Sequence, residues 1–226
     1  MGELDRKLAA VIDHTLLRPE AEGREVDRLC IEALRFGFAA VCVQPIWVAR
    51  AARTLAGSRV GLASVVSFPH GASVTATKVV EAARARDDGA TELDVVANLA
   101  AIRAGDERAI TDEIAAVVEA ARGATVKVIL ETTFWSADRI TAAARAAVKG
   151  GAGFVKTSTG FLAGGATEDA VRTLRAAVGP TVGVKASGGI RTRGQALAML
   201  AAGASRVGAS SSVAIVTEDS PSASAR

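Results

Sequence analysis

The chain has 226 residues, of which 50% are hydrophobic and 23% are charged, and its formal net charge is +3. This length and apolar content fit one large α/β domain better than two small ones. The positive charge is small and no basic run or arginine–aromatic stripe accompanies it, so we expect no nucleic-acid partner.

Cysteine usage and the amino-terminal segment bear on the compartment. Neither Cys30 nor Cys42 belongs to a C-x-x-C pair or has a histidine ligand nearby, so a zinc site is not expected. Two lone thiols make a poor disulfide framework and indicate a reducing compartment. Residues 1–7 are charged and lack the apolar core of a signal peptide, and no apolar stretch of about 20 residues is present to span a bilayer. We therefore expect a cytoplasmic protein without a membrane partner.

Short β-rich runs alternate with alanine-rich helical patterns along almost the whole chain. Between residues 20 and 36 the apolar residues recur at helical spacing, and Gly37 follows as a helix stop. The same alternation continues to the end of the chain. The predicted strands cover residues 11–14, 39–43, 60–66, 92–96, 126–130, 153–156, 182–186 and 206–209.

Eight such units favour a closed (β/α)8 TIM barrel, because open doubly wound sheets more often use five or six strands. The strands are apolar on both faces, as expected when helices cover the sheet. We expect one domain over residues 1–216 with a short last helix at 212–216, and a frayed or disordered polar tail over residues 217–226. In such barrels the chemistry lies at the carboxyl ends of the strands.

Two of the six lysines, Lys156 and Lys185, end consecutive predicted strands. A single lysine at a strand end would most simply extend its ammonium group to solvent. Two lysines at matching positions can instead point into the same barrel mouth. Burial and a neighbouring positive charge would lower the pKa of one of them, and its neutral amine could then attack a carbonyl group. We therefore predict a paired-amine site.

Two carboxylates, Glu92 and Asp94, lie on one face of the fourth predicted strand, and Asp94 is nearer its catalytic end. A carboxylate within an apolar strand is costly unless a cation or hydrogen bonds hold it, and the lysine pair supplies such a partner. Asp94 is therefore a candidate for proton transfer, with a purely structural ion pair as the alternative. Lys127 shares the parity of Glu131, and we expect it to pair with that carboxylate rather than approach the site from below.

The segments after the last two strands read SGGIR (187–191) and GASSS (208–212). Glycines let the backbone approach an anion, and serines at a helix start offer hydroxyl and N–H donors. These loops are the usual phosphate site of such barrels, although a Gly-Gly pair alone could be only a turn. We predict a phosphate site here, joined by the hydroxyl groups of TSTGF (157–161).

Motifs along the chain carry a family resemblance. They are IDHTL (12–16), VCV (41–43), FPHG (68–71), ELDVV (92–96) with Asn98, KVILET (127–132), FVKTSTGF (154–161), VGVKASGGIR (182–191) and GASS (208–211). With them, the chain resembles the class I deoxyribose-phosphate aldolases from residue 12 to residue 212. The combination of FVKTSTGF with VGVKASGGIR is highly specific.

The resemblance implies reversible cleavage of 2-deoxy-D-ribose 5-phosphate to D-glyceraldehyde 3-phosphate and acetaldehyde, through a lysine Schiff base and without a metal or other cofactor. In this family pattern Lys156 forms the imine, Lys185 lowers the pKa of Lys156, and Asp94 relays protons. The implied binding residues are Gly160, Gly188, Gly189, Ser210 and Ser211 at the phosphate, and Thr15 and Cys42 beside the acetaldehyde.

The chain departs from some members of this family because it contains no tyrosine, whereas those members place a carboxyl-terminal tyrosine near the substrate. Family members are often homodimers or homotetramers, so the resemblance also suggests a homo-oligomer. Two other functions stay open on the residues alone. One is a phosphosugar isomerase or synthase of the phosphate-binding barrels, which generally does not need paired strand-end lysines. The other is a phosphosugar-binding protein without catalysis.

Overall fold

The computed structural model describes residues 5–217. Its strands are β1 (Ile12–Leu16), β2 (Ala40–Val43), β3 (Gly61–Val66), β4 (Glu92–Val96), β5 (Thr125–Ile129), β6 (Phe154–Lys156), β7 (Gly183–Ser187) and β8 (Arg206–Ala209). Its helices are α1 (Arg6–Ala9), α2 (Gly23–Phe36), α3 (Val48–Thr54), α4 (Thr75–Asp87), α5 (Leu99–Ala104), α6 (Glu107–Ala121), α7 (Ala137–Lys149), α8 (Glu168–Val178), α9 (Arg193–Ala201) and α10 (Ser212–Thr217). Two 3-10 turns, Pro45–Trp47 and Thr132–Phe134, follow β2 and β5.

The eight strands are parallel, pair in chain order, and close where β8 pairs with β1. The predicted TIM barrel is therefore confirmed. Every predicted strand coincides with an observed one, and the ends differ by at most two residues. The valine-rich runs form strands because both faces of each strand are covered, by helices outside and by side chains inside.

The largest apolar core lies between the outer face of the barrel and the surrounding helices. Alternate strand residues such as Leu93, Val128 and Val184 are fully buried there. The interior of the barrel is different, because its apolar part is a small separate cluster. This small interior cluster consists of Leu17, Cys42, Ala63 and Val65, with Phe68 packed against it. Charged groups from β1 and from β4 to β8 share the interior with this cluster.

Local signals account for the helix ends. Helix α2 begins at Gly23, three residues later than predicted, because Glu22 and Glu25 form a capping box ahead of it. It ends, as predicted, at Gly37 in the left-handed conformation with φ 75°. Helix α10 begins at Ser212, as predicted, and is described to Thr217, a residue that the prediction had placed in the tail. The predicted disordered tail lies, from residue 218 onward, outside the described residues.

Helix α1 is an element that the sequence patterns did not predict; it packs against α10. In the part of the chain from residue 5 to residue 217, no helix has both the length and the apolar content needed to cross a bilayer.

A buried ion pair between α4 and α6 holds the carboxyl end of β4, the strand that carries Asp94. The Lys78 side chain is fully buried, and its Nζ donates to Glu113 Oε1 at 2.9 Å and to the Val96 carbonyl at 2.8 Å. The same Glu113 oxygen accepts the backbone N–H of Asn98 at 3.0 Å. Two backbone groups at the carboxyl end of β4 are thus satisfied by one buried pair, which links the helix layer to this strand.

We expect Lys78→Met to lower the free energy of unfolding by about 3–5 kcal/mol, because it leaves a buried carboxylate without its cation. The measurement is urea denaturation followed by circular dichroism. Lys149→Met, at an exposed position on α7, is the control and should change stability by less than about 0.5 kcal/mol. The double variant Lys78→Met/Glu113→Leu should recover part of the loss. Equal losses in the single and double variants would contradict this account.

Candidate active site

Charged side chains from six strands meet inside the barrel, because alternate residues of each strand point inward. We call seven of them the barrel charge cluster: Asp13, Glu92, Asp94, Lys127, Lys156, Lys185 and Arg206. Five of the seven are at most 3% exposed, and Glu92 and Arg206 are partly buried. The cluster lies where the paired lysines were predicted.

Strand register places three of the cations side by side. The β6–β7 pairing sets Lys156 beside Lys185, and the β7–β8 pairing sets Lys185 beside Arg206. Three neighbouring positive charges in a low-dielectric interior repel one another strongly. The arrangement therefore requires carboxylates from other strands, which β1, next to β8, and β4 supply.

Asp94 is the carboxylate at the centre of the cluster. Its Oδ2 accepts from Lys156 Nζ and Lys185 Nζ, each at 2.7 Å, and its Oδ1 accepts from Lys127 Nζ at 2.8 Å. Burial alone would raise the pKa of Asp94, but the three ammonium groups outweigh it and hold this pKa well below the usual range. Asp94 is therefore ionised, and one of its oxygens joins two lysine nitrogens.

The two predicted lysines have different surroundings. Burial lowers the pKa of Lys156, and Asp94, its one carboxylate partner among the described residues, opposes this only in part, while Lys185 lowers the pKa further. Burial would also lower the pKa of Lys185, but Asp13, at 2.5 Å, and Asp94 outweigh it and raise the pKa. Lys156 is thus the amine that more readily becomes neutral, and Lys185 keeps its proton.

The predicted partner of Lys127 was wrong. Lys127 contacts Asp94, Glu92 and, at 3.5 Å, Asp13 rather than pairing with Glu131. Glu131 follows β5 in the left-handed conformation, with φ 51°, so strand alternation no longer decides where its side chain points. Its Oε2 accepts the backbone N–H and the hydroxyl of Thr159, at 3.1 and 2.8 Å. Glu131 thereby holds the segment that follows Lys156.

A cavity of about 340 Å³ opens between the cluster and the mouth of the barrel. Its lining includes Lys156, Lys185, Thr15, Gly160, Gly188, Gly189 and Ser210, and its rim carries Arg18, Phe161 and Arg191. Both predicted lysines and five of the seven predicted binding residues therefore share one cavity. Ser211 is half-buried beside it but does not line it.

Cys42 lies in the small interior cluster rather than in the cavity wall. It is fully buried, and its Sγ lies 3.9 Å from Asp94 Oδ2. Burial, and secondarily the Asp94 charge, raises the pKa of this thiol to about 11. At neutral pH the Cys42 thiol is therefore protonated, and it lies where the small interior cluster meets the charged groups.

The loops after β6 and β7 pack backbone against backbone at the cavity wall. Gly188 has φ +93°, and the Cα atoms of Gly160 and Gly165 lie within 3.3 Å of where a Gly188 side chain would begin. The Ala166 N–H donates to the Gly188 carbonyl at 3.0 Å. Only glycine fits here, and the result is a wall of exposed backbone suited to an anion.

The sequence reasoning missed Asp13 and Arg206 as members of the site. The signal was present, since each is a charged residue in an apolar strand, two positions before a residue that lines the cavity, Thr15 or Gly208. Parity of that kind places a side chain inside the barrel but does not identify its partners.

Fold and site together define a (β/α)8 barrel in which a buried amine of lowered pKa lines a cavity at the carboxyl ends of the strands. Residues 7–216 match the model of the DeoC/LacD family aldolases. The chain belongs to this family of aldolases, which are lyases.

Individual relatives of the chain agree with this family assignment. The deoxyribose-phosphate aldolase of Bacillus cytotoxicus is 49% identical to the chain, over 94% of this chain and 96% of that relative. The deoxyribose-phosphate aldolase of Bacillus cereus is also 49% identical, over 96% of this chain and 97% of that relative. The tetrameric deoxyribose phosphate aldolase from Aeropyrum pernix is 37% identical, with a TM-score of 0.88, over 93% of this chain and 90% of that one. A Coccidioides immitis crystal structure with a provisional assignment to the same enzyme is 42% identical, with a TM-score of 0.92, over 96% and 87%.

We expect Gly208→Ala to lower kcat by about 10- to 100-fold, because small displacements of a reacting group have effects of that size. The added methyl group would lie 3.0 Å from Lys185 Cε and 3.1 Å from Ser187 Cβ, so Lys185 has to move. Steady-state kinetics with a thermal melt measure the effect. Gly194→Ala in α9, where no atom lies within 4 Å of the new carbon, is the matched control and should keep wild-type kcat. An unchanged kcat in Gly208→Ala would show that Lys185 tolerates the shift.

Proposed function

We propose that this protein is a deoxyribose-phosphate aldolase that reversibly cleaves 2-deoxy-D-ribose 5-phosphate to D-glyceraldehyde 3-phosphate and acetaldehyde through a Schiff base on Lys156. The observation that carries the proposal is the asymmetry of the lysine pair: one buried amine with a lowered pKa lines the cavity, beside a second that stays charged. Names of relatives at 49% identity support the same reaction.

In the proposed reaction the neutral Nζ of Lys156 attacks the aldehyde carbon C1 of the open-chain sugar. The carbinolamine loses water to give a protonated imine. Removal of the proton from the C3 hydroxyl breaks the C2–C3 bond, whose electron pair moves to C2 and forms an enamine. The fragment that contains C3, C4 and C5 leaves as glyceraldehyde 3-phosphate. Protonation of the enamine at C2 and addition of water to the imine then release acetaldehyde and restore the amine, so atoms and charge balance.

The neighbouring groups suit these proton transfers. Lys185 carries a proton that can be donated to the carbinolamine oxygen, and ionised Asp94 accepts hydrogen bonds from both lysines through a single oxygen. We assign Asp94 and Lys185 to the proton relay, with Lys185 also favouring the neutral form of Lys156. Asp13 holds Lys185 in place from β1.

The two ends of the cavity suggest how the substrate lies. The glycine loops and Ser210 border one end, and Arg191 adds positive charge at the rim, so we assign the phosphate to this end. The charge of Arg18, also at the rim, is balanced by Glu20 and Glu25. The small interior cluster, which includes Cys42, is apolar and suits acetaldehyde, with Thr15 at its edge. The binding residues proposed are Gly160, Gly188, Gly189, Ser210 and Ser211 for the phosphate and Thr15 and Cys42 for the acetaldehyde unit. Ser211 rests on the family resemblance alone.

We further propose that the protein is a cytoplasmic homo-oligomer, a dimer or tetramer. The tetrameric relative from Aeropyrum pernix supports self-association. Both cysteines are free and buried, which suits a reducing compartment.

The proposed Schiff base is tested by borohydride reduction in the presence of acetaldehyde, followed by peptide mass mapping. We expect one reduced adduct, on Lys156, since its amine is the one whose neutral form burial favours. Lys156→Arg should form no adduct and lose turnover by several orders of magnitude, because a guanidinium cannot form the imine. Lys149→Arg, at an exposed position, is the matched control and should keep both adduct and turnover.

Other results of the same experiment assign the function differently. An adduct on Lys185 would keep the aldolase and reverse the two lysine roles. Absence of any adduct on the folded wild-type protein would contradict the Schiff base. Substantial turnover of a phosphosugar by Lys156→Arg would favour an isomerase, and a change in affinity alone would favour a binding protein.

We expect Asp94→Asn to lower kcat by about 10²- to 10⁴-fold, the usual contribution of a proton-transfer group, while acetaldehyde still forms the reducible imine. The measurement compares kcat for cleavage with the yield of the borohydride adduct on Lys156. Full turnover by this variant would limit Asp94 to a structural ion pair.

A further inference from the structure

Glu92 and Arg206 lie at the base of the barrel charge cluster, on the side away from the mouth, since each is the first residue of its strand. Arg206 Nη1 lies 2.7 Å from Asp13 Oδ1 and 3.7 Å from Glu92 Oε1, and Glu92 also contacts Lys127. The Phe154 ring lies beneath the guanidinium, 5.9 Å from its Cζ. Neither Glu92 nor Arg206 lines the cavity. The proposed reaction gives this pair no role.

Charge counting connects the pair to Lys156. Among residues 5–217, the cluster holds three carboxylates and four basic groups. With all four protonated, the interior would carry one uncompensated positive charge, which a low-dielectric site disfavours. With one basic group neutral, the charges balance.

The contacts decide which group becomes neutral. Lys127 contacts three carboxylates and Lys185 two. Arg206 also contacts two, and a guanidinium does not lose its proton in proteins. Lys156 contacts a single carboxylate oxygen, on Asp94, and shares it with Lys185. The proton is therefore lost at least cost from Lys156.

We propose that Arg206 and Glu92 are positioning residues that set the protonation state of Lys156 from the base of the barrel. Arg206 supplies the positive charge that allows Lys156 to be neutral, and Glu92 offsets part of that charge. The inference rests on the proposed function, in which the neutral amine of Lys156 attacks the substrate. It adds two residues that never touch the substrate.

The remaining groups around Lys156 stay constant when this pair is altered. They are Asp13 on β1, Cys42 on β2, Asp94 on β4, Lys127 on β5, Lys185 on β7, Glu131 bound to Thr159, and Arg18 and Arg191 at the rim, whereas β3 presents the apolar Ala63 and Val65. Asp13 would not take up the proton if Arg206 were lost. Burial would raise the pKa of Asp13, but Lys185 and Lys127 keep it low together with Arg206.

Three variants therefore have effects of different sign on the pKa of Lys156. Arg206→Gln leaves three carboxylates facing three lysines, so Lys156 keeps its proton and its pKa rises. Glu92→Gln leaves four cations facing two carboxylates, so the pKa falls. The double variant Glu92→Gln/Arg206→Gln restores the original balance, and the pKa returns toward the wild-type value. A charge within about 4–6 Å shifts a pKa by about 1–3 units. Arg206 and Glu92 act one contact further away, through Asp13 and Lys127, so we expect shifts below that range.

The test is the pH dependence of kcat/KM for cleavage by the four proteins, which reports ionisations of the free enzyme. Ionisation of the substrate phosphate is common to all four, so differences between them belong to the enzyme. We expect the acidic inflection to move up in Arg206→Gln, down in Glu92→Gln, and back in the double variant. Arg206→Lys, which keeps the charge, should keep the wild-type inflection. A second readout is the rate at which acetic anhydride acetylates Lys156 without substrate, mapped by mass spectrometry at each pH.

An even loss of activity at all pH values with an unmoved inflection would reduce the pair to a structural role and overturn the proposal. Shifts of the same sign in the two single variants would also overturn it. If Arg206→Gln does not fold, Glu92→Gln alone decides, since its inflection has to fall. Failure of the proposed function is seen separately, as the absence of a borohydride adduct on wild-type Lys156 at any pH.

Discussion

The carboxylate of Asp94 accepts hydrogen bonds from three lysines on three strands, β5, β6 and β7. Without it, Lys127, Lys156 and Lys185 would place mutually repelling charges in a buried, low-dielectric space. Breaking such a buried group is strongly destabilising, yet an intact one contributes little compared with apolar packing. The cluster is therefore best explained by its chemistry, since an apolar interior of equal volume would hold the barrel together as well.

The interior of the barrel is divided between two kinds of surface, and the division organises the proposed reaction. Charged groups occupy the side formed by β4 to β8 and β1, and small apolar side chains occupy the side formed by β2 and β3. The Phe68 and Phe161 rings meet edge to face at 5.1 Å and join the apolar side to the loop after Lys156. In the proposed reaction, the amine at this boundary meets the proton-relay groups on one side and an apolar surface for the two-carbon unit on the other.

Sequence reasoning succeeded where the fold follows from local patterns and failed where it depends on side chains meeting across the barrel. The alternation of strands and helices predicted the barrel, and consecutive strand ends predicted that Lys156 and Lys185 would share a mouth. The same parity argument misassigned Lys127, because the left-handed backbone at Glu131 interrupts the alternation on which parity depends. Asp13 and Arg206, 193 residues apart, meet only because β8 closes on β1.

The barrel, the lysines at the carboxyl ends of its strands and the glycine loops were all predictable from residue patterns, since periodicity and glycine placement act over a few residues. The residue pattern left the two lysines equivalent, and the family resemblance alone assigned the imine to Lys156. The folded barrel supplies the physical reason, because it lowers the pKa of Lys156 and raises that of Lys185. Lys156 and Lys185 occupy equivalent strand positions, and they differ because Asp13 contacts Lys185 but not Lys156. The pKa of each depends on distances of a few ångströms between strands remote in the chain, and those distances exist only after the barrel has closed.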